Sequence, residues 1–114
     1  MAMNNNQPIC EVDKYGTKRW FLNGKYHRED GPAVEYADGY RAWYLNGKRN
    51  REDGPAIEYA NGDKEWHLNG KRHREDGPAI EDDDGYKAWY VDGEKIEVSD
   101  NDTFLRMINL KAFW

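Results

Sequence analysis

Arg-Glu-Asp occurs three times, at residues 28–30, 51–53 and 74–76, each time followed by Gly-Pro-Ala. A guanidinium beside two carboxylates, repeated at fixed spacing, is the first candidate site. Equivalent residues in successive hairpins would lie roughly 10 Å apart, about two strand spacings, so each Arg can reach a carboxylate of its own or the adjacent loop. A structural ladder is therefore the favoured reading, and Asp30, Asp53 and Asp76 can cap their Gly-Pro turns through the backbone. His27, His67 and His73 are candidate metal ligands by type, but Asn50 stands between His27 and His73 in the repeat and no Cys accompanies them, so a zinc site would lack ligands. Asp82-Asp83-Asp84-Gly85 lacks the alternate acidic positions and closing Glu of a calcium loop and reads as a solvated acidic turn. Ser99 is the only serine, and no nucleophile elbow, phosphate loop or Cys/His pair is present. The titratable residues recur on an even lattice, so no catalytic residue, metal or cofactor is expected.

The lattice itself is the stronger signal. Trp-x-Leu-Asn-Gly-Lys begins at Trp20, Trp43 and Trp66, and a degraded copy begins at Trp89, always 23 residues apart. A period of this size marks stacked units, each of which needs its neighbours to bury its apolar face. Within the unit from Pro55 to Leu68, Ala56-Ile57-Glu58-Tyr59 and Lys64-Glu65-Trp66-His67-Leu68 favour strands on either side of a turn at Ala60-Asn61-Gly62-Asp63. Asn69-Gly70 supplies a tight turn, and Lys71 to Pro78 reads as an irregular loop. The division expected is a disordered segment 1–7, a repeat domain 8–98 and a capping helix 99–114. The repeat domain comprises a degenerate unit 8–19, repeats 20–42, 43–65 and 66–88, and a partial unit 89–98. The cap would close an edge strand. The fold class expected is all-β, a single twisted antiparallel meander of hairpins with a short C-terminal helix.

Alternation along the strands places Trp43 with Leu45 and Trp66 with Leu68 on one face, where Val34, Tyr36, Ile57 and Tyr59 would join them. The opposite face would then carry Glu58, Glu81, Tyr40, Tyr44, Glu65, His67, Tyr86 and Tyr90 toward solvent.

Of the 114 residues 38% are hydrophobic, yet there are 5 Trp and 8 Tyr, so a few large aromatics must supply the core of a thin sheet. The net charge is −5 and acidity grows toward the C-terminal end, with no basic stripe for a nucleic-acid duplex or an anionic membrane. The chain start lacks a signal peptide, no stretch approaches a membrane span, and Cys10 is alone, so a cytoplasmic location is expected.

Trp-x-x-Asn-Gly-Lys-x-His, followed by Gly and by Asp-Gly at the next turn, resembles the MORN repeat over roughly residues 8–93. Where a MORN unit has His-Gly-x-Gly, this chain has Arg-Glu-Asp-Gly-Pro-Ala, which resembles a variant of small bacterial and phage proteins described as antitoxin-like. The resemblance implies protein binding without catalysis, as an antitoxin-like or anti-defence inhibitor. The alternative is a scaffold that self-assembles through the edge at residues 8–12. Tyr beside Glu suits protein recognition. The expected partner-binding residues are Tyr40, Tyr44, Glu58, Glu65, His67, Tyr86 and Tyr90, with Glu81, Asp82, Asp83 and Asp84 steering a basic protein partner. A monomer or weak homo-oligomer is expected, without direct nucleic-acid or membrane binding.

Overall fold

Each unit carries an Asn-Gly or Asp-Gly pair, and these pairs set its geometry. In the computed structural model, which describes residues 7–110, Asn23, Asn46, Asn69 and Asp92 have φ of 51–53° and the glycines that follow have φ of 78–85°. Two successive left-handed residues make the type I′ turn, whose twist matches that of the flanking strands. Residues 1–6 of the expected disordered segment and 111–114 of the expected cap lie outside the described residues.

The chain opens with β1 (Ile9–Val12), β2 (Lys18–Leu22) and β3 (Lys25–Tyr26). The next unit contributes β4 (Val34–Glu35), β5 (Arg41–Ala42), β6 (Tyr44–Leu45) and β7 (Lys48–Arg49). After it come β8 (Ile57–Glu58), β9 (Lys64–Glu65), β10 (His67–Leu68) and β11 (Lys71–Arg72). The last strands are β12 (Ile80–Glu81), β13 (Lys87–Val91) and β14 (Glu94–Ile96), before helix α1 (Asn101–Leu110). A ten-stranded antiparallel sheet runs in the order β1-β2-β4-β5-β8-β9-β12-β13-β14, with β3 beside β2, while β6-β7 and β10-β11 form small hairpins. The fold is the all-β meander with a C-terminal helix that the repeats imply. Its extents are 54 × 35 × 17 Å, those of a slab.

Lys71-Arg72 is strand, not loop, and pairs with His67-Leu68. The reason is the Trp. Trp43 donates its N–H to the Ala56 carbonyl of the next unit (2.8 Å) while its own carbonyl accepts from Asn50 (3.0 Å), and Trp66 does the same with Ala79 and His73. Each of these Trp residues is thus a branch point from the large sheet into a hairpin closed by Asn-Gly.

Register assigns the faces differently from simple alternation. Val34 opposes Ala42, Ala42 opposes Ile57, and directly opposed residues share a side of the sheet. Val34, Ala42 and Ile57 form a buried cluster against which Tyr26, Tyr40 and Tyr44 pack. Tyr40 and Tyr44 therefore belong with Val34 and Ile57, and the expected solvent face is in part the core face. On the other side Lys18, Glu35, Arg41, Glu58, Lys64, Glu81 and Lys87 oppose one another in turn, an alternating row of charge across seven strands. Glu58 and Glu81 sit in that row, away from the tyrosines. Opposite charges directly across a ladder contribute roughly 0.2–1 kcal/mol per pair.

At the C-terminal end, Thr103 donates its N–H to Asp100 Oδ1 (2.7 Å), capping α1 and holding the Asp100 carboxyl below its usual range. Phe104 is fully buried, its ring 6.4 Å from that of Trp89, and Asn101 Oδ1 accepts from Trp89 Nε1 (3.0 Å). No helix among the described residues is long and apolar enough to cross a membrane.

Candidate functional site

The Arg-Glu-Asp loops make the structural ladder their spacing suggested. Arg51 lies over the Trp43 ring at 3.9 Å and donates to Asp53 Oδ1 (3.1 Å), the Pro55 carbonyl (3.0 Å) and Glu58 Oε2 (3.3 Å). Arg28 on Trp20 and Arg74 on Trp66 repeat the arrangement with Glu35 and Glu81. A Cβ on Gly54 would stand 2.8 Å from the Arg51 guanidinium carbon, so glycine leaves room for that guanidinium on the indole. Grooves of about 590 and 580 Å³ run between successive loops, over Trp66 with Leu68 and over Trp43 with Leu45. The arginines that line them are already bonded.

The histidines are placed by the same repetition. His27 Nδ1 accepts from Asn46 N–H (3.0 Å), Asn50 Oδ1 from Asn69 N–H (2.8 Å), and His73 Nδ1 from Asp92 N–H (2.9 Å). Each thus fixes the tight turn of the following unit. Among the described residues no group of three or more His, Cys, Asp and Glu is placed to hold a metal ion.

Beyond the degenerate first unit, where Thr17, Arg19 and Phe21 stand at the positions of Tyr40, Ala42 and Tyr44, one row breaks the pattern. Where the flanking units have Tyr40-Arg41-Ala42-Trp43-Tyr44 and Tyr86-Lys87-Ala88-Trp89-Tyr90, the central one has Asp63-Lys64-Glu65-Trp66-His67. Register forces Glu65 onto the core face opposite Ile57 and Ile80, where its side chain is 15% exposed. There Glu65 Oε1 lies 3.0 Å from His67 Nε2 and accepts from Arg72 Nε (3.4 Å), and Oε2 accepts from the Tyr59 hydroxyl (3.4 Å). The His67 bond first, then the charge of Arg72, hold the Glu65 carboxyl below its ordinary 4.5 against the opposing effect of burial. His67 is 5% exposed and its Nδ1 is buried without a hydrogen-bond partner. It positions Glu65, which in turn reaches Tyr59 and Arg72, and it is buried, not on the solvent face where alternation placed it.

Because Glu65 ionises more readily in the folded chain, its contribution to stability is present above pH 4.5 and is lost as pH falls through the lowered folded value. Thermal melts of wild type and Glu65→Gln should therefore differ at pH 7 and converge as the pH falls through that lowered value. A gap independent of pH would contradict the pairing.

Beside this row the tyrosines gather. Tyr36 and Tyr40 flank the turn Ala37-Asp38-Gly39 with ring centroids 4.9 Å apart, and Tyr40 meets Tyr59 edge-on at 5.6 Å. Tyr36 is 44% and Tyr59 37% exposed. Both were expected on the Trp face. The signal that places them correctly is the turn itself, since residues facing each other across it share a side of the sheet. Next along the same turn edge, Asp82 and Asp83 replace the Tyr59-Ala60 of the preceding unit. Partial burial, then the charges of Asp63, Asp84 and Glu65, push the Asp82 carboxyl above its usual range. Asp83 donates its N–H to Asp63 Oδ1 (2.7 Å) and Asp84 Oδ1 accepts from Tyr86 N–H (3.0 Å). Tyr86 is 48% exposed, and Tyr90 lies under Arg72, 5.3 Å from guanidinium carbon to ring centroid.

The structure thus brings Tyr40, Tyr44, Glu65, His67 and Tyr90 to one side of the sheet and Tyr86 and Asp82 to Asp84 to its turn edge, and separates Glu58 and Glu81 from them. Tyr36, Tyr59, Arg72 and Asp63 complete the group. No protein-family model, no curated protein and no solved structure matches the chain.

Proposed function

We propose that this chain is a non-catalytic, MORN-like protein-binding module that occludes a partner with a basic surface, in the manner of an antitoxin-like or anti-defence inhibitor. The observation that carries the reading is the broken row. Asp63, Glu65 and His67 replace Tyr, Ala and Tyr on a core face, burying an ion-pairing Glu and an orphaned His nitrogen where the repeat itself supplies an apolar solution. Such burial costs stability, and a local rule broken at such cost points to selection for function. The pair holds Tyr59 and Arg72 at the surface beside Tyr36, Tyr86 and unpaired acids, a mixture suited to a protein interface. Apart from the Glu65–His67 pair, whose carboxylate is already taken up by Tyr59 and Arg72, the loop and sheet charges of the described residues form an even lattice of ion pairs, which favours binding over catalysis.

Alanine scanning of both faces against a captured partner, with folding followed by circular dichroism, tests this. Tyr59→Ala and Tyr40→Ala should each weaken binding by roughly 2 kcal/mol or more, and Asp82→Asn with Asp83→Asn should mainly slow association. Normal binding by these variants, with losses at Glu52→Ala or Glu75→Ala in the loops, would place the interface on the Trp face instead. A self-assembling scaffold is the second reading, favoured by the edge strand β1, where Ile9 is 63% and Val12 61% exposed. Light scattering separates the two, because edge pairing raises the mass with concentration.

A further inference from the structure

The geometry points to a receptor for one cationic side chain, a lysine ammonium or an arginine guanidinium, at Tyr36, Tyr40 and Tyr59 with Asp38 and Asp63. The inference deepens the proposed protein-binding function and rests on it for the source of the cation, although the receptor chemistry stands on its own observations. These residues line a shallow depression of about 350 Å³ at the turn edge of the sheet. Three aromatic rings in contact line it, and two of the rings are more than a third exposed. A cation over such a ring within about 6 Å is attracted by its quadrupole.

Elsewhere in the chain five aromatics bind cations of the chain itself. Trp20, Trp43, Trp66, Tyr15 and Tyr90 each carry an Arg or Lys over the ring. Among the described residues, none stacks on Tyr36, Tyr40 or Tyr59. Arg49, opposite Tyr44 in the hairpin, is near enough for its charge to act on Tyr40 and Tyr59, as that of Arg72 does on Tyr59, and an incoming cation would share the rings with them. The acids follow the same division. Loop and sheet carboxylates such as Asp30, Glu35, Asp53, Glu58, Asp76 and Glu81 have an Arg within ion-pairing distance. Asp38 and Asp63 have no such partner among the described residues, and Asp82 to Asp84 extend the unpaired charge past Asp63. Rings with no stacked cation, beside carboxylates that among the described residues accept only backbone N–H groups, are complementary to a cation with an alkyl stem, and they disfavour an anion or a neutral peptide segment.

The test is an NMR titration of the full chain with n-butylammonium chloride and, separately, methylguanidinium chloride, read on aromatic ring and Asp63 amide resonances. Butan-1-ol is the neutral isostere, and sodium chloride controls ionic strength. Saturable shifts confined to Tyr36, Tyr40, Tyr59 and Asp63 are expected from at least one cation. Tyr59→Phe should bind within about twofold of wild type because the quadrupole survives, and Tyr59→Ala should bind about fivefold or more weakly. Asp63→Asn should weaken binding and flatten its salt dependence. If Tyr59→Ala fails to fold, the Asp63→Asn and butan-1-ol arms decide alone. Equal shifts from butan-1-ol, or no saturable shift from either cation, overturn the receptor. The probes need no protein partner, so a failure here is distinct from a failure of the alanine scan.

Discussion

Phe104→Ala will lower the unfolding free energy by about 3–5 kcal/mol, the range for removing a fully buried Phe. The cause lies in what α1 replaces. Trp20, Trp43 and Trp66 are covered by Arg28, Arg51 and Arg74, eight residues further on in each unit. The residue eight after Trp89 is Glu97, which has no guanidinium to offer the ring. Asn101 and Phe104 take that place, one accepting the indole N–H and the other packing on the ring. Without Phe104 the last indole, only 5% exposed in the intact chain, loses its cover beside the edge strand β14. Chemical denaturation should show the loss as a lower midpoint. An unchanged midpoint would mean that the helix is not a cap.

Trp66→Ala should cost about 3–5 kcal/mol, and Trp20→Ala should cost less. Trp66 sits in the central unit with Arg74 at 3.9 Å, and its removal also frees a guanidinium that holds Glu81 (2.8 Å) and the Pro78 carbonyl (3.1 Å). Trp20 has a looser stack, 4.4 Å, and its Nε1 is buried without a partner, so part of what it contributes is already offset. In a linear stack an end unit has one neighbour to lose and a central unit two. Equal losses at the two positions would argue against nearest-neighbour stacking.

The repeat, its type I′ turns, the stacking in chain order and the C-terminal helix could all be read from residue spacing, because Asn-Gly and the 23-residue interval act locally. The faces could not be read by alternation alone. Alternation groups Val34 with Trp43 by hydrophobicity, whereas register pairs Val34 and Ile57 with Ala42, a small residue with little hydrophobic signal that is 1% exposed. The return strand Lys71-Arg72 was hidden for a similar reason: its two residues are charged and exposed, and only the backbone bonds to His67 and Leu68 make it a strand. Arg-Glu-Asp as a ladder was legible from its repetition, but the Trp beneath each Arg was not, since the ring lies eight residues away. At the candidate site, Tyr40, Tyr44 and Tyr86 were visible as differences between units. Tyr36 and Tyr59 needed the turn geometry, and the burial of His67 needed its neighbour Glu65 in place.

The most direct test of the central claim is to restore the pattern that the central unit breaks. The triple variant Asp63→Tyr, Glu65→Ala, His67→Tyr copies the core-facing residues of both flanking units, and its thermal stability and partner affinity should be measured together. The expected result is a folded chain at least as stable as wild type, because the buried Glu65–His67 pair and its orphaned nitrogen are gone, with partner binding weakened by about tenfold or more. A variant that binds as well as wild type while melting higher would contradict the account, since the polar row would then be neither the origin nor the support of the binding surface.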